Sequence, residues 1–333
     1  MNTLTQLKKY TTIVVDSSDL DAVERFRPLD ATTNPSLITA AAKQESNKAL
    51  INQAYQQAQQ EFSEGLCPAS LADLTPAEAL IERTIDILTV KLGVEILKYI
   101  EGRVSTEVDA RLSFNTAATV QKAHELMALY QQFGISRERI LIKIASTWQG
   151  IEAARMLEKE GIHCNLTLLF GMHQAQACAQ AGVTLISPFV GRILDWYKKA
   201  ENKDSYPIEQ DPGVLSVRKI YTYYKQQGIR TQVMGASFRS TDQVLALAGC
   251  DLLTISPQLL QQLQQLNLEV TPCLSEALAQ SAPSVDLPVL NEAAFYQALD
   301  ADLMASQLLQ VGIDGFIVAR DQLAELLKNS FVL

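Results

Sequence analysis

The sequence predicts an α/β protein in which residues 1–333 form a single (β/α)8 barrel with additional N- and C-terminal helices. Short, continuously apolar segments alternate with longer helical segments, which is typical of parallel strands covered on both faces. Eight positions in this alternation accept a strand, and eight strands close a TIM barrel. The alternative is an open doubly wound sheet. It lacks support because no G-x-G-x-x-G motif follows any of the strands.

Seven of the strands are clear from their apolar residues, and one is weak. The clear segments are residues 11–17, 103–110, 139–146, 163–170, 183–190, 231–238 and 250–257. The weak segment, PLDATTNP at 28–35, is polar and flanked by proline, so its pattern alone indicates a loop. It is counted here as the second of the eight strand positions.

The segments between the strands have helical composition and recognisable helix ends. The predicted helices are residues 36–62, 75–100, 115–134, 148–161 and 211–228, followed by a helical segment from about residue 290 that we expect to pack on the barrel. Thr75 and Pro76 are typical of a helix start, and Gly134 of a helix end. Residues 63–76 resemble an inserted loop, residues 196–213 are expected to be exposed, and residues 267–289 to be irregular.

Composition argues against several classes of function. The formal charge is −9, whereas nucleic-acid binding requires a basic face, so we expect no nucleic-acid partner. No apolar run is long enough to span a membrane and the N-terminus does not resemble a secretory signal, so we expect no membrane association and a cytoplasmic location. Five cysteines and three histidines occur without the spacing of metal ligands. We therefore expect no metal, and cysteines that are reduced and mostly buried.

The strand RILIKIAS at 139–146 contains a lysine among apolar residues. Lys143 lies between Ile142 and Ile144 and so points to the opposite face. One interpretation is a buried ion pair with Glu107 or Asp16, although such pairs often add no stability over apolar packing. The other is a nucleophile, since burial and nearby cations lower a lysine pKa and the neutral amine can form a Schiff base with a carbonyl. We favour the second interpretation.

Polar residues recur where the predicted strands end, and these ends share one rim of a closed barrel. Any one of them could simply bond a nearby loop, so the signal is their joint occurrence. Asp16 and Glu107 are candidate proton carriers, and Arg192 with Arg239 suits a phosphate. The candidates for hydrogen bonds to sugar hydroxyls are Thr32, Asn34, Asn165 and Ser187.

Six segments resemble the transaldolase family of the pentose phosphate pathway. They are DATTNPSL (30–37), STEVDARLS (105–113), ILIKIASTWQGI (140–151), NLTLLF (165–170), LISPFVGRILDWY (185–197) and VMGASFR (233–239). The resemblance runs in the same order from about residue 5 to about residue 260 and is weaker beyond. It implies a (β/α)8 barrel, no cofactor, and sugar phosphates as substrates.

The resemblance also implies roles for individual residues. Lys143 would form the Schiff base, Asp16 would take the proton from the C4 hydroxyl, and Glu107 with Thr167 would hold and activate a water. Asn34, Asn165 and Ser187 would hold the dihydroxyacetone unit. The phosphate would be bound by Arg192, Ser237 and Arg239, and Phe189 would line the pocket.

The implied reaction transfers dihydroxyacetone from sedoheptulose 7-phosphate to glyceraldehyde 3-phosphate, giving erythrose 4-phosphate and fructose 6-phosphate. The alternative is a Schiff-base aldolase that releases free dihydroxyacetone from fructose 6-phosphate. A third hypothesis, an inactive barrel that only binds phosphosugars or a protein partner, predicts the loss of Lys143, Asp16 or Glu107, and all three are present.

Two segments depart from the family's usual pattern. Gly171 and Met172 stand where a Ser-Phe pair is usual, and residues 63–76 are longer than in the family forms. The longer segment could alter a surface or an oligomer contact. The sequence does not determine the oligomeric state, for which a homodimer is one candidate.

Overall fold

The computed structural model describes residues 1–284 and 286–331. Within them, eight parallel strands pair in chain order, and the eighth closes on the first. The strands are β1 (Thr12–Asp16), β2 (Asp30–Thr32), β3 (Val104–Glu107), β4 (Ile140–Ala145), β5 (Cys164–Leu169), β6 (Leu185–Pro188), β7 (Gln232–Gly235) and β8 (Leu252–Ile255). The prediction of a (β/α)8 TIM barrel is confirmed, and every predicted strand position contains a strand.

Fifteen α-helices surround the barrel within the described residues. They are α1 (Thr3–Leu7), α2 (Leu20–Phe26), α3 (Pro35–Ala42), α4 (Lys48–Ser63), α5 (Pro76–Leu97), α6 (Thr116–Gln132), α7 (Trp148–Lys159), α8 (Met172–Ala181), α9 (Val190–Ala200), α10 (Pro212–Gln226), α11 (Thr241–Leu245), α12 (Pro257–Gln265), α13 (Glu276–Ser281), α14 (Glu292–Ala301) and α15 (Leu303–Phe331). No helix in the described part of the chain is long and apolar enough to cross a membrane.

The strand β2 shows why the polar pattern at 28–35 was misleading. The Asp30 carboxylate accepts hydrogen bonds from the backbone N–H of Arg103 (2.7 Å) and from its guanidinium (3.0 and 2.8 Å). Arg103, directly before the neighbouring strand β3, thereby balances the charge of Asp30, which is buried. A residue that suggests a loop in the sequence therefore fixes β2 beside β3.

The predicted single helix over 36–62 is wrong, because the chain forms α3 and α4 with a 3-10 turn at Glu45–Asn47 between them. The buried Asn47 side chain donates a 2.9 Å hydrogen bond to the carbonyl of Ala41. A side chain that satisfies a terminal carbonyl in this way competes with continuation of the helix. The break turns α4 away from α3, and α4 packs against α5.

Two other segments predicted as loops contain helical turns and buried residues. Residues 196–213 begin inside α9, and Asp211 is buried where its carboxylate accepts hydrogen bonds from the N–H groups of Gly213 and Val214 at the start of α10. The segment 63–76 contains a 3-10 turn at Ala69–Leu71 and buries Leu71. Cys164, Cys178 and Cys250 are buried, whereas Cys67 is exposed, and none of the five forms a disulfide.

Inside the barrel, a separate apolar layer forms the floor of the interior. It consists of Val14, Leu141, Leu185, Met234 and Leu252. Because side chains alternate along a strand, the residues two positions further on point into the same interior, one layer higher. The next layer therefore contains Asp16, Lys143, Ser187 and Thr254. Ile142 and Ile144 pack in the main core outside the strands, as predicted from their alternation with Lys143.

The long helix α15 lies against the C-terminal side of the barrel. It packs on α3, α5, α9 and β5. At Gly312 a Cβ atom would lie 2.6 Å from Leu168 Cδ2, so a larger residue here would require the Leu168 side chain to move. This approach brings a helix that is remote in sequence to the ends of the strands.

Candidate active site

The ends of the strands surround a cavity with a volume of about 190 Å³. Its lining residues are Asp16, Thr32, Asn34, Lys143, Thr167, Ser187, Phe189, Arg192, Ala236, Ser237, Phe238, Arg239, Thr254, Ser256 and Phe316. Of the predicted site residues, only Glu107 and Asn165 do not line it. The structure thus brings the predicted residues together, with those two standing directly behind the cavity wall.

The Lys143 amine is enclosed by three kinds of group. Its Nζ lies 3.1 Å from Glu107 Oε2 and donates a 3.0 Å hydrogen bond to the carbonyl of Thr33. The ring of Phe316 is 6.0 Å from it, and the side chain is 6% exposed. The ion pair with Glu107 is therefore present, as one of the two interpretations expected. A backbone carbonyl, however, is the only protein acceptor that meets hydrogen-bond geometry at the amine among the described residues.

Both carboxyl groups near Lys143 have raised pKa values. Burial raises the pKa of Asp16, and Lys143, the Thr32 hydroxyl and Arg192 only partly oppose it. Burial also raises the pKa of Glu107 against the opposing charges of Lys143 and Arg192, with the nearby charge of Asp16 adding to the rise. Carboxyl groups with raised pKa values can both accept and return a proton near neutral pH.

Two buried oxygens in this region lack a hydrogen-bond partner. They are Glu107 Oε2, whose contact with Lys143 is an ion pair without hydrogen-bond geometry, and Thr167 Oγ1. Unpartnered buried polar atoms are costly and therefore uncommon, so two of them near the buried Lys143 amine mark a place suited to a small polar molecule.

Hydroxyl and amide groups line the rest of the lower cavity. Thr32 Oγ1 donates to Asp16 Oδ1 at 2.9 Å and lies 2.7 Å from Thr254 Oγ1. Ser187 donates to the Asn165 side-chain oxygen at 2.6 Å. The Asn165 amide in turn donates to Ser105 Oγ at 3.0 Å. Asn165 therefore orients Ser187 from behind the cavity wall.

Asn34 has a structural task as well as a place in the cavity wall. Its side-chain oxygen accepts a 3.0 Å hydrogen bond from the N–H of Leu37 and caps α3. The cap leaves the amide nitrogen available and fixes its direction, because the side chain cannot rotate without losing the cap.

Arg192 stands at the outer end of the cavity, where its protein contacts are with aromatic rings. Its guanidinium lies 4.9 Å from the Phe189 ring centre and 5.8 Å from that of Phe316. No described residue forms a hydrogen bond or ion pair with it. Burial and the charge of Arg239 lower the pKa of Arg192, so the pair of arginines carries positive charge that an anion would relieve.

Arg239 is placed by a tight loop after β7. Its guanidinium contacts Asp195 Oδ2 at 2.9 Å and donates to the Ser237 carbonyl at 3.2 Å. Ser237 has a φ of 61°, a left-handed conformation that non-glycine residues adopt mainly at functional or strained sites. A Cβ atom on Gly191 would lie 2.2 Å from the Ser237 carbonyl oxygen, so glycine is required for this loop to approach α9.

Sequence reasoning missed several residues that line the cavity. Thr254 could have been found, because it alternates with the apolar Leu252 on an inward-facing strand. Phe316 gave no local signal, since it lies on α15 and reaches the cavity only through packing. Among the described residues, no group of three or more His, Cys, Asp or Glu side chains is arranged to hold a metal ion.

Comparison with known proteins identifies the family of this chain. The profile of the Transaldolase/Fructose-6-phosphate aldolase family matches residues 13–327. A protein named transaldolase from Thermosynechococcus vestitus is 53% identical over 99% of this chain and 82% of its own length. Another from Nostoc punctiforme is 53% identical over 99% of this chain and 96% of its own length. One from Methylococcus capsulatus is 52% identical, covering 98% and 97%. The chain belongs to the transaldolase/fructose-6-phosphate aldolase family.

Proposed function

We propose that this chain is a transaldolase, a transferase that moves a dihydroxyacetone unit from sedoheptulose 7-phosphate to glyceraldehyde 3-phosphate through a Schiff base on Lys143. The observation that carries the proposal is one cavity with a buried amine at its inner end and two arginines at its outer end. A ketose phosphate has its carbonyl near one end and its phosphate at the other, which matches this arrangement.

The first step joins the substrate to the enzyme. The neutral Lys143 amine adds to the C2 carbonyl of the ketose, and the resulting carbinolamine loses water to form the imine. Glu107 Oε2 and Thr167 Oγ1 are two buried oxygens beside Lys143 without hydrogen-bond partners, and we propose that they hold this water. Glu107 then supplies the proton with which the hydroxyl leaves and takes it back when the imine is hydrolysed.

The second step breaks the C3–C4 bond. The ionised Asp16 takes the proton from the C4 hydroxyl, the C4 aldehyde leaves, and the bond electrons move to the protonated imine to form an enamine. Asp16 returns its proton to the new alkoxide when an acceptor aldehyde adds. The raised pKa of Asp16 suits a group that is protonated and deprotonated once in each half-reaction.

Binding of the substrate is shared between the two ends of the cavity. Ser187, oriented by Asn165, and the Asn34 amide are placed to bond the hydroxyls of the three-carbon unit, with Thr32 beside Asp16. Arg192, Arg239 and Ser237 are placed to bind the phosphate. The Asp195 contact would then have to be exchanged or shared when Arg239 binds the anion.

A Schiff-base aldolase remains the second candidate, because the family includes both activities. Phe189 favours transfer. It lines the cavity beneath Arg192 and has no acidic hydrogen with which to activate a water against the enamine. The relatives described above, each named transaldolase, also support transfer.

Chemical trapping and product analysis test this proposal. With fructose 6-phosphate and borohydride, mass spectrometry should find a dihydroxyacetone-derived adduct on Lys143, and an adduct on Lys91 or Lys98 would contradict it. Fructose 6-phosphate alone should release about one equivalent of glyceraldehyde 3-phosphate per site and then nearly stop, and erythrose 4-phosphate should restart turnover. Sustained release of dihydroxyacetone at the rate of transfer would identify an aldolase.

We further propose that this reaction takes place in the cytoplasm.

A further inference from the structure

A chain of three side chains connects β8, β2 and β1 inside the cavity. Thr254 Oγ1 lies 2.7 Å from Thr32 Oγ1, which lies 2.9 Å from Asp16 Oδ1. Thr32 is paired with Asp16 in the strand register, and Thr254 with Val14 one layer below. All three oxygens are held by strands rather than loops, so their mutual positions are fixed by the barrel.

The number of protons fixes the direction of this chain. A threonine hydroxyl has one proton to donate and lone pairs to accept. An ionised Asp16 can only accept, so Thr32 must give its single proton to Asp16 and must therefore accept from Thr254. When a proton sits on Asp16 Oδ1, the same three oxygens can reverse, with Asp16 donating to Thr32 and Thr32 donating to Thr254.

The Thr254 hydroxyl has no other hydrogen-bond partner among the described residues that would compete with Thr32. Thr254 is 4% exposed and stands above the apolar Leu252, so the Thr32 hydroxyl is the partner that its position provides. Hydrogen bonds in series polarise one another, so the Thr254 hydroxyl strengthens the bond that Thr32 gives to the carboxylate.

We propose that Thr254 is a positioning residue that supports the proton cycle of Asp16 through the hydroxyl of Thr32, an inference that rests on the proposed transaldolase function. The charged groups that face Asp16 are Lys143 on β4, Arg192 on α9 and Glu107 on β3. Their effects would remain when the Thr254 hydroxyl is removed, so the contribution of the chain can be measured separately.

The decisive variant is Thr254→Val, which keeps the shape of the side chain and removes its hydroxyl. It should lower kcat for transfer by about 2- to 10-fold, the scale of one hydrogen bond, with a smaller change in KM. The acidic limb of the kcat/KM profile should move upward by roughly half a pH unit, because the carboxylate form of Asp16 loses support. Thr254→Ser, which keeps the hydroxyl, should restore both values.

Trapping separates this effect from general damage to the site. In rapid borohydride quenches with fructose 6-phosphate, Thr254→Val should form the imine on Lys143 but retain more uncleaved six-carbon adduct than the unchanged protein. Thr12→Val is the matched control. It removes a strand hydroxyl without a hydrogen-bond partner among the described residues, at the opposite end of the barrel, and should change nothing.

The outcomes are distinct for the two proposals. If the unchanged protein transfers dihydroxyacetone but Thr254→Val leaves the acidic limb and the adduct ratio unchanged, the positioning role is wrong. A rise in KM alone would show that Thr254 merely contacts the substrate, which also overturns it. If the unchanged protein gives no transfer and no adduct on Lys143, the proposed function itself fails.

Discussion

Two clusters of largely buried charge lie on either side of the end of β3. The pKa values of Asp16 and Glu107 are raised in one, and those of Asp86 and Asp109 are lowered in the other. The site cluster consists of Asp16, Glu107, Lys143 and Arg192. The support cluster consists of Glu82, Asp86, Asp109, Lys122 and Arg320. Glu107 and Asp109 are separated by one residue, and both contribute to a small cavity that Arg320 also lines.

In the support cluster every buried carboxylate faces a cation directly. Arg320 contacts Glu82 at 2.7 Å, Asp86 at 3.1 Å and Asp109 at 3.0 Å, and Lys122 contacts Asp86 at 2.7 Å. Burial alone would raise the pKa of Asp86, but Lys122 and Arg320 outweigh it and hold the value below the ordinary one. Arg320 and Arg111 lower the pKa of Asp109 in the same way.

In the site cluster burial outweighs the effect of the nearby cations on both carboxyl groups. Lys143 directs its hydrogen bond to a backbone carbonyl, and Arg192 makes no hydrogen bond to a described residue, so the pKa values of Asp16 and Glu107 stay raised. The number of hydrogen bonds that the cations give to each carboxylate therefore separates the two clusters. The support cluster joins α15 to α5 and the turn after β3. The site cluster retains polar groups that make few hydrogen bonds within the protein.

The largest expected effect tests the chemistry of the site cluster. Lys143→Arg keeps a cation beside Glu107 but cannot attack a carbonyl, because the guanidinium stays protonated. Transfer should fall by about four orders of magnitude or more, while the melting temperature changes little. Lys91→Arg on α5 is the control and should retain full activity. Substantial turnover by Lys143→Arg would mean that this cluster is an ion pair of the same kind as the support cluster.

The second prediction concerns the support cluster. Arg320→Met leaves Glu82, Asp86 and Asp109 short of their shared cation and should lower the free energy of unfolding by roughly 3–5 kcal/mol. Equilibrium unfolding in urea measures this loss. Lys48→Met is the control, since Lys48 and Glu45 form an exposed surface pair, and it should change stability by less than about 1 kcal/mol. Equal losses in both variants would show that burial does not distinguish these pairs.

The third prediction tests whether the arginines at the outer end of the cavity bind phosphate rather than take part in the reaction. Arg192→Ala and Arg239→Ala should each weaken the transition state for phosphorylated substrates by about 1.5–3 kcal/mol, the range for charge-assisted hydrogen bonds. Unphosphorylated fructose should be affected much less. Comparing kcat/KM for fructose 6-phosphate and fructose in each variant gives the answer, and equal losses on both substrates would contradict the phosphate role.

The smallest expected effect concerns folding stability, to which the ionised forms of Asp109 and Asp16 contribute with opposite sign. The folded-state pKa of Asp109 is depressed, so its contribution to stability is present above the ordinary value of about 3.9 and is lost as the pH falls through the folded-state value. That of Asp16 is raised, so its ionised form costs stability above the folded-state value and the cost disappears on acidification.

At pH 7, Asp109→Asn should therefore be less stable than the unchanged protein, and Asp16→Asn should be equally stable or more stable by up to about 1 kcal/mol. The difference for Asp16→Asn should disappear toward pH 3.5, whereas that for Asp109→Asn should largely persist there, because the folded-state pKa of Asp109 lies lower. Melting temperatures of the three proteins across this range test the idea, and a loss of stability in Asp16→Asn as large as in Asp109→Asn would remove the distinction between the clusters.

Much of the site could be predicted from the sequence because it depends on local rules. Alternation along β4 placed Lys143 inside the barrel, and the rim of strand ends brought Asp16, Thr32 and Ser187 to one cavity. The family resemblance added Phe189 and gave Thr167 and Ser237 their roles. The break at Asn47 was missed, because it depends on the Ala41 carbonyl, a partner that local pattern does not reveal. The strand β2 was expected only from its place among the eight positions, since its polar start depends on a distant partner, Arg103.

The sequence by itself determined the periodicity of each strand, the residue types at its end and hence the barrel and the lysine inside it. Only the tertiary structure decided which residues from elsewhere complete the site. Phe316 reaches Lys143 and Arg192 because α15 approaches β5 at Gly312, and Arg320 holds that helix through carboxylates more than 200 residues earlier in the chain. The physical reason is that periodicity is a property of neighbouring residues, whereas the pairing of buried charges and hydroxyls depends on how the closed barrel brings distant segments together.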